Sequence, residues 1–178
     1  MKNPWKLVKK NIIFQNEYGY TIRNDDVITP AGKQGKFMVI EHVDFAIVVA
    51  ITLDNKIVMV RQWRYAKERE SLELPAGSID KDEDVLDCAK RELQEETGYT
   101  SEDWQELKSY EVGLSVMKAT GHIFLAKDAV LSGETHQDDT ETITVETFTY
   151  EEIMNQVDQG IIIDEKSLLS LLLVKKYL

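Results

Sequence analysis

The chain has 178 residues, with a hydrophobic share of 43% and 30% charged residues, which indicates one globular domain and excludes an intrinsically disordered chain. Its 21 Lys and Arg against 32 Asp and Glu give a formal net charge of −11. This acidic balance lacks the basic surface that nucleic-acid binding needs, so we expect no nucleic-acid partner. An anionic ligand would need a divalent cation to offset the local negative charge.

The cysteine content and the apolar runs indicate where the protein is found. Cys88 is the only cysteine, so no intrachain disulfide can form, which is typical of a reducing compartment. The apolar run Ile12-Ile13-Phe14 is too short for a signal peptide. The run from Leu168 to Val174, interrupted by Ser170, falls short of the ~20 residues of a membrane span. We therefore expect a cytoplasmic protein with no membrane partner.

The first 41 residues contain short β-like runs separated by turn-prone segments. The runs are Lys6 to Phe14, Tyr18 to Ile28 and Lys36 to Ile40. They carry too few large apolar residues to close a core alone, and exposed strand edges favour pairing with another chain. We predict an N-terminal antiparallel β appendage over residues 1–41 that mediates homodimerisation, and a main domain over residues 42–178.

The rest of the chain mixes strands with a few helices. Two strands, Asp44 to Leu53 and Lys56 to Trp63, are joined by Asp54-Asn55, which predicts a tight hairpin. A helix is expected over 84–97, where Gly98 would end it. Further strands are predicted at 108–112, 121–126 and 142–150, and helices at 151–159 and 165–177. Without regular strand–helix alternation, this pattern predicts an α+β fold.

The helix over 84–97 places carboxylates on its apolar face. At about 100° per residue, Glu96 falls inside the sector of Val85, Ala89 and Leu93, and Glu92 falls on its edge. Neighbouring carboxylates that face inward cannot all stay ionised without a counter-charge. Their hard oxygen atoms suit Mg²⁺ or Mn²⁺. The alternative is that Lys90 and Arg91 neutralise the cluster as ordinary surface ion pairs.

The spacing of this segment is that of a known motif. It comprises Gly77, five residues, Glu83, seven residues, Arg91-Glu92-Leu93, one residue, Glu95-Glu96, one residue and Gly98. This pattern resembles the signature box of the Nudix hydrolases, with Tyr99 where that family usually has an aliphatic residue. The resemblance implies a Nudix-type α/β/α sandwich with a mixed sheet and Mg²⁺- or Mn²⁺-dependent hydrolysis of a nucleoside diphosphate.

Roles for the box residues follow from this resemblance. Glu92 and Glu96 are expected as metal ligands, joined by the Ala76 carbonyl and by Glu83 as an additional ligand. Glu95 would be a ligand or the general base, and Arg91 would orient the cluster through charged hydrogen bonds. A non-catalytic Nudix module that senses a nucleotide is the alternative, although such modules typically lose box carboxylates that this chain keeps.

Two flanking segments resemble the ADP-ribose and nucleoside diphosphate sugar pyrophosphatase subgroup. They are Arg61-Gln62-Trp63-Arg64-Tyr65 and Glu73-Leu74-Pro75-Ala76-Gly77. The resemblance implies substrate contacts by Arg61, Trp63, Arg64 and Glu73, although Trp63 and Tyr65 could equally be core residues at a strand end. The expected substrate is therefore ADP-ribose or another nucleoside diphosphate sugar, cleaved to a nucleoside monophosphate and a sugar phosphate.

The acidic loop over 133–141 also resembles this subgroup. By similarity, Glu141 matches a late metal ligand and Asp139 a candidate general base. The segment Gly113-Leu-Ser-Val-Met-Lys118 lacks the proline-glycine pair that the subgroup generally has there, which puts the identity of the sugar in question. The sequence leaves open the nucleobase, the sugar and the number of metal ions.

Overall fold

The computed structural model describes residues 2–133, 135 and 142–178. The chain divides into two compact units. The smaller unit comprises Met1–Asp44 with Tyr110–Thr120, and the larger unit comprises Phe45–Ser109 with Gly121–Leu178. Of the helices in these parts of the chain, none combines the length and the apolar character that a bilayer span requires.

The described residues form mainly β-strands. In chain order the strands are β1 (Lys6–Lys9), β2 (Ile12–Gln15), β3 (Thr21–Ile28), β4 (Gln34–Glu41), β5 (Phe45–Thr52), β6 (Ile57–Arg64), β7 (Arg69–Glu73), β8 (Ala76–Ser78), β9 (Tyr99–Thr100), β10 (Asp103–Glu111), β11 (Met117–Lys118), β12 (Thr120–Leu131) and β13 (Ile143–Phe148). The helices are α1 (Val85–Thr97), α2 (Tyr150–Asp158) and α3 (Glu165–Val174). Short 3₁₀ turns occupy Tyr65–Lys67 and Lys175–Tyr177.

The smaller unit is built on a five-stranded sheet. Its order is β1-β3-β4-β11, with β2 also paired to β3. Strands β3 and β4 are antiparallel, whereas β11 runs parallel to β4. The single strand expected from Lys6 to Phe14 is wrong, because Lys10 and Asn11 separate β1 from β2. The side-chain amide of Asn11 donates to the Asn24 carbonyl of β3 at 3.1 Å.

The larger unit contains an eight-stranded mixed sheet. Its order is β10-β12-β5-β6-β13, and β7, β8 and β9 pair with β6, β5 and β12 respectively. Strand β12 is parallel to β5, while β13 is antiparallel to β6. The predicted hairpin between β5 and β6 is confirmed, with Asn55 at a φ of 58° in its turn. The α+β class with a mixed sheet is therefore confirmed, although β7, β8 and β9 were not expected as strands.

Helix α1 is fixed to this sheet by its apolar side and by its ends. Ala89 and Leu93 are fully buried and pack in one cluster with side chains of β5 and β12, including Val48 and Phe124. Asp84 caps the start by accepting from the Leu86 amide at 2.9 Å. Gly98 ends the helix at a φ of 72°, as expected from the sequence. The position of α1 is thus set independently of its carboxylates.

Candidate active site

One guanidinium group gathers three carboxylates beside the partly buried edge of α1. Arg91 donates to Glu83 through Nε at 2.8 Å and Nη2 at 3.0 Å. Its Nη1 donates to Glu92 at 2.7 Å and to Glu95 at 3.0 Å. Arg91 therefore forms ion pairs with Glu92 and Glu95, as in the alternative that the sequence offered. All three of its guanidinium nitrogens, however, donate to residues of the signature box. The arrangement keeps like charges together that would otherwise separate.

The charge state of this cluster follows from those hydrogen bonds. Hydrogen bonding by Arg91 lowers the pKa of Glu83 to about 2, against the opposing effect of burial. The carboxylates in turn raise the pKa of Arg91, led by the hydrogen bond to Glu83. Glu83 and Arg91 are therefore both ionised at neutral pH. One guanidinium thus serves three carboxyl groups, an arrangement whose remaining oxygen atoms suit a cation.

Glu96 lies on the buried side of α1, as its helical position predicts. The residue is 5% exposed, and its Oε2 accepts a hydrogen bond from the Ala76 amide at 3.1 Å. Gly77 follows Ala76, and a Cβ built on Gly77 would lie 2.0 Å from the Glu92 carboxylate carbon. A side chain at position 77 would therefore displace the Glu92 carboxylate from β8. The backbone of β8 thus contacts the two carboxylates that the sequence assigns to the metal.

A second ion pair lies on the sheet next to α1. Arg64 at the end of β6 donates to Glu73 on β7 through Nε at 2.8 Å and through Nη2 at 2.5 Å. Glu73 is 3% exposed, and the hydrogen bond that Arg64 donates to it is the main cause of the raised pKa of Arg64. Glu73 lies three residues before Ala76, whose amide donates to Glu96, so this pair is close along the chain to the strand that contacts the α1 carboxylates. Arg64 and Glu73 also line a cleft of about 430 Å³.

Arg61 and Trp63 lie on the opposite face of the sheet. Side chains alternate along β6, and its pairing with β7 and β13 is regular throughout. Arg61 donates to Glu146 on β13 at 2.5 Å through Nε. The structure therefore does not bring the four expected substrate residues together. The alternative that Trp63 and Tyr65 are core residues is wrong, since they are 57% and 89% exposed.

The N-terminal end of α3 adds side chains that the sequence analysis missed. Lys166 lies 3.0 Å from Asp164 and 3.8 Å from Glu73, and the Ser167 hydroxyl accepts from the Leu74 amide at 2.8 Å. A usable signal was present, because Asp164 directly before the helix predicted over 165–177 is a typical N-cap residue. Two expected site residues, Asp139 and Glu141, lie outside the described residues.

Comparison with known proteins identifies the family. The family model described as NUDIX domain matches residues 42–170. The chain belongs to the Nudix family. The ADP-ribose pyrophosphatase of Bacillus subtilis (strain 168) is 32% identical over 163 residues, which covers 91% of this chain and 88% of that protein. The methanol dehydrogenase activator of Bacillus methanolicus is 32% identical over 166 residues, covering 93% and 89%.

A solved structure described as an ADP compounds hydrolase has the same fold. It superposes with a TM-score of 0.79 at 21% sequence identity, and the match covers 97% of this chain and 95% of that chain. The Nudix α/β/α sandwich expected from the sequence is thereby confirmed. The chain is a Nudix hydrolase, as the signature box indicated.

Nudix hydrolases generally depend on a divalent metal, and the donor atoms of this one suit such an ion. The Glu92 carboxylate lies against Gly77 and the Glu96 carboxylate against the Ala76 amide, so both offer hard oxygen atoms beside β8. Within 2–133, 135 and 142–178, no group of three or more His, Cys, Asp and Glu side chains is arranged to hold a metal ion. In this structure the carboxylates are instead hydrogen-bonded within the protein: Arg91 donates to Glu92 and Glu95, and the Ala76 amide donates to Glu96.

A test of this geometry is the Gly77→Ala variant. The added Cβ overlaps the end of the Glu92 side chain, which is flexible, so the carboxylate must move while the fold is kept. We expect kcat to fall by about 100-fold or more, since small misplacements at a reacting centre have effects of this size. Thermal unfolding should change little. Ser78→Ala, one residue on along β8, is the matched control and should keep wild-type turnover; an active Gly77→Ala enzyme would contradict the assignment.

Proposed function

We propose that this Nudix hydrolase uses Mg²⁺, or Mn²⁺, to cleave the diphosphate bond of ADP-ribose or another nucleoside diphosphate sugar. The products would be a nucleoside monophosphate and a sugar phosphate. The observation that carries the proposal is the short segment Glu73–Ala76, which holds Arg64 through Glu73 and the α1 carboxylate Glu96 through the Ala76 amide. The Bacillus subtilis relative is an ADP-ribose pyrophosphatase, which supports this substrate class.

The proposed metal ligands are Glu92, Glu96, the Ala76 carbonyl and Glu141. A bound divalent cation would neutralise the diphosphate and lower the pKa of a coordinated water. Similarity gave Glu83 as an additional ligand; since both of its oxygens bind Arg91, the contacts support a role in holding the guanidinium. Arg91, held by Glu83, then orients Glu92 and Glu95 through the hydrogen bonds of its Nη1.

Substrate contacts are proposed on the face that carries Arg64. Its guanidinium is held on one edge by Glu73, so the charge is fixed in place beside the cleft, where it would bind a phosphate oxygen. Lys67 and Arg69 line the same cleft, and the acidic lining residues Glu73, Asp164 and Glu165 balance the positive charge. Arg61 and the exposed indole of Trp63 lie on the other face of β6, so within one chain a base contact by them is proposed only for a ligand outside this cleft.

The proposal is tested by incubating the protein with a panel of nucleoside diphosphate sugars and Mg²⁺, and by identifying the products. We expect a nucleoside monophosphate together with a sugar phosphate. Glu96→Gln should lower turnover by roughly a thousandfold or more, because a ligand for the metal is lost. Asp87→Asn is the matched control, since Asp87 is an exposed acid on the same helix.

The unfolding free energy of Glu96→Gln should equal that of the wild type or be higher, because this change removes a buried charge. Near-normal activity of Glu96→Gln in Mg²⁺ would rule out the metal assignment. Nucleotide binding by the wild type without turnover of any compound would favour the sensing module instead.

The general base is proposed to be Asp139 or Glu95. Asp139→Asn should lower the rate while the Mg²⁺ dependence stays nearly unchanged, whereas Glu141→Gln should be partly rescued by excess Mg²⁺, because a lost ligand weakens metal binding. The measurement is activity against Mg²⁺ concentration for both variants. If saturating Mg²⁺ leaves both close to the wild type, Glu95 becomes the base, and Glu95→Gln should then be inactive.

We also propose a cytoplasmic homodimer that forms through the appendage of residues 1–41, with no nucleic-acid or membrane partner. Strands β1 and β2 are exposed along their length, and their apolar side chains include Val8, Ile12 and Ile13 at 60%, 61% and 65% exposure. Light scattering should give twice the chain mass of 20.5 kDa, and the double variant Val8→Glu, Ile12→Glu should give a single chain mass. A monomeric wild type at micromolar concentration would rule out the dimer.

A further inference from the structure

The segment Glu73–Ala76 joins β7 to β8 and touches both parts of the proposed site. Glu73 holds Arg64, and the Ala76 amide donates to Glu96. Between them, the Pro75 carbonyl accepts from the Val48 amide of β5 at 2.9 Å. A small shift of this segment would therefore move the substrate arginine and a metal carboxylate together.

Ser167 on α3 accepts a hydrogen bond from the Leu74 amide, which lies within this segment. Its hydroxyl accepts from the Leu74 amide at 2.8 Å and donates to Asp164 at 2.8 Å. Because a serine hydroxyl has one hydrogen, the bond to Asp164 turns its lone pairs toward Leu74. Ser167 is fully buried, so no solvent competes for these bonds. Asp164 also accepts from the Ser167 amide at 2.9 Å and thus caps α3.

We propose that Ser167 is a positioning residue of the hydrolase: its hydroxyl fixes the Leu74 amide and so sets the places of Arg64, Glu73 and Ala76. The proposal rests on the function proposed above, which assigns substrate and metal to those residues. The cap of α3 needs only the Ser167 amide and the Asp164 carboxylate. The hydroxyl is therefore dispensable for the helix start, and its bond to Leu74 serves the segment.

The experiment compares Ser167→Ala with Ser170→Ala. Ser170 is a matched control, because it is also fully buried on α3 and its hydroxyl donates to the Lys166 carbonyl of its own helix at 2.7 Å. Two quantities are measured: the dissociation constant of Mn²⁺, by electron paramagnetic resonance on the protein without substrate, and kcat with Mg²⁺. We expect Ser167→Ala to raise the Mn²⁺ dissociation constant about fivefold and to lower kcat about ten- to a hundredfold. Ser170→Ala should change both by less than about twofold.

The proposal is overturned if the Mn²⁺ dissociation constant and the kcat of Ser167→Ala both lie within twofold of those of Ser170→Ala. Should Ser167→Ala not fold, Ser167→Cys decides by the same criterion, because a thiol fills the site but is a weak acceptor. Failure of the proposed function gives a different result. The wild type would then hydrolyse no compound of the panel, while the Mn²⁺ constants of the serine variants would still report on the segment.

Discussion

The site depends on the interaction of one guanidinium with three carboxylates. Arg91 makes two hydrogen bonds to Glu83 and one each to Glu92 and Glu95, and it also donates to the Ser78 carbonyl on β8. Without this group, three negative charges would lie close together at the edge of α1, where their repulsion would turn the side chains outward. The arginine therefore allows the carboxylates to remain concentrated, and it links them to the strand that approaches the helix.

The approach of β8 to α1 completes this arrangement from the backbone side. Gly77 gives the Glu92 carboxylate the space that a Cβ would fill, and the Ala76 amide holds Glu96. The Cys88 thiol lies beneath, near the Ser78 carbonyl at 3.5 Å, and burial together with nearby carboxylates raises its pKa to about 12. Such a thiol stays protonated at neutral pH, so it packs beneath the site and adds no charge to it.

Local patterns in the sequence predicted much of this. Helix α1 was expected within one residue of its bounds, because the apolar spacing, Asp84 and Gly98 all act locally. The inward position of Glu96 followed from the same period. The motif spacing also predicted the family, which the comparison confirmed.

The features that escaped prediction depend on contacts distant in the chain. Alternation puts Arg61 and Arg64 on opposite faces of β6, but the predicted strand ended at Trp63; its extension to Arg64 depends on pairing with Arg69 of β7. The bond between Ser167 and Leu74 joins residues 93 positions apart. The three short strands β7, β8 and β9 were missed because they are formed by pairing, and their own sequence carries little strand pattern.

The most direct test of the central role of Arg91 is the unfolding free energy of Arg91→Met in urea, with and without Mn²⁺. Without metal, we expect a loss of about 2–4 kcal/mol, because three carboxylates lose a charged hydrogen-bond donor. Saturating Mn²⁺ should restore part of this loss, since the cation supplies the missing positive charge. Lys90→Met, which removes the neighbouring exposed cation, should change stability by less than about 0.5 kcal/mol. An Arg91→Met protein as stable as the wild type without metal would contradict the account.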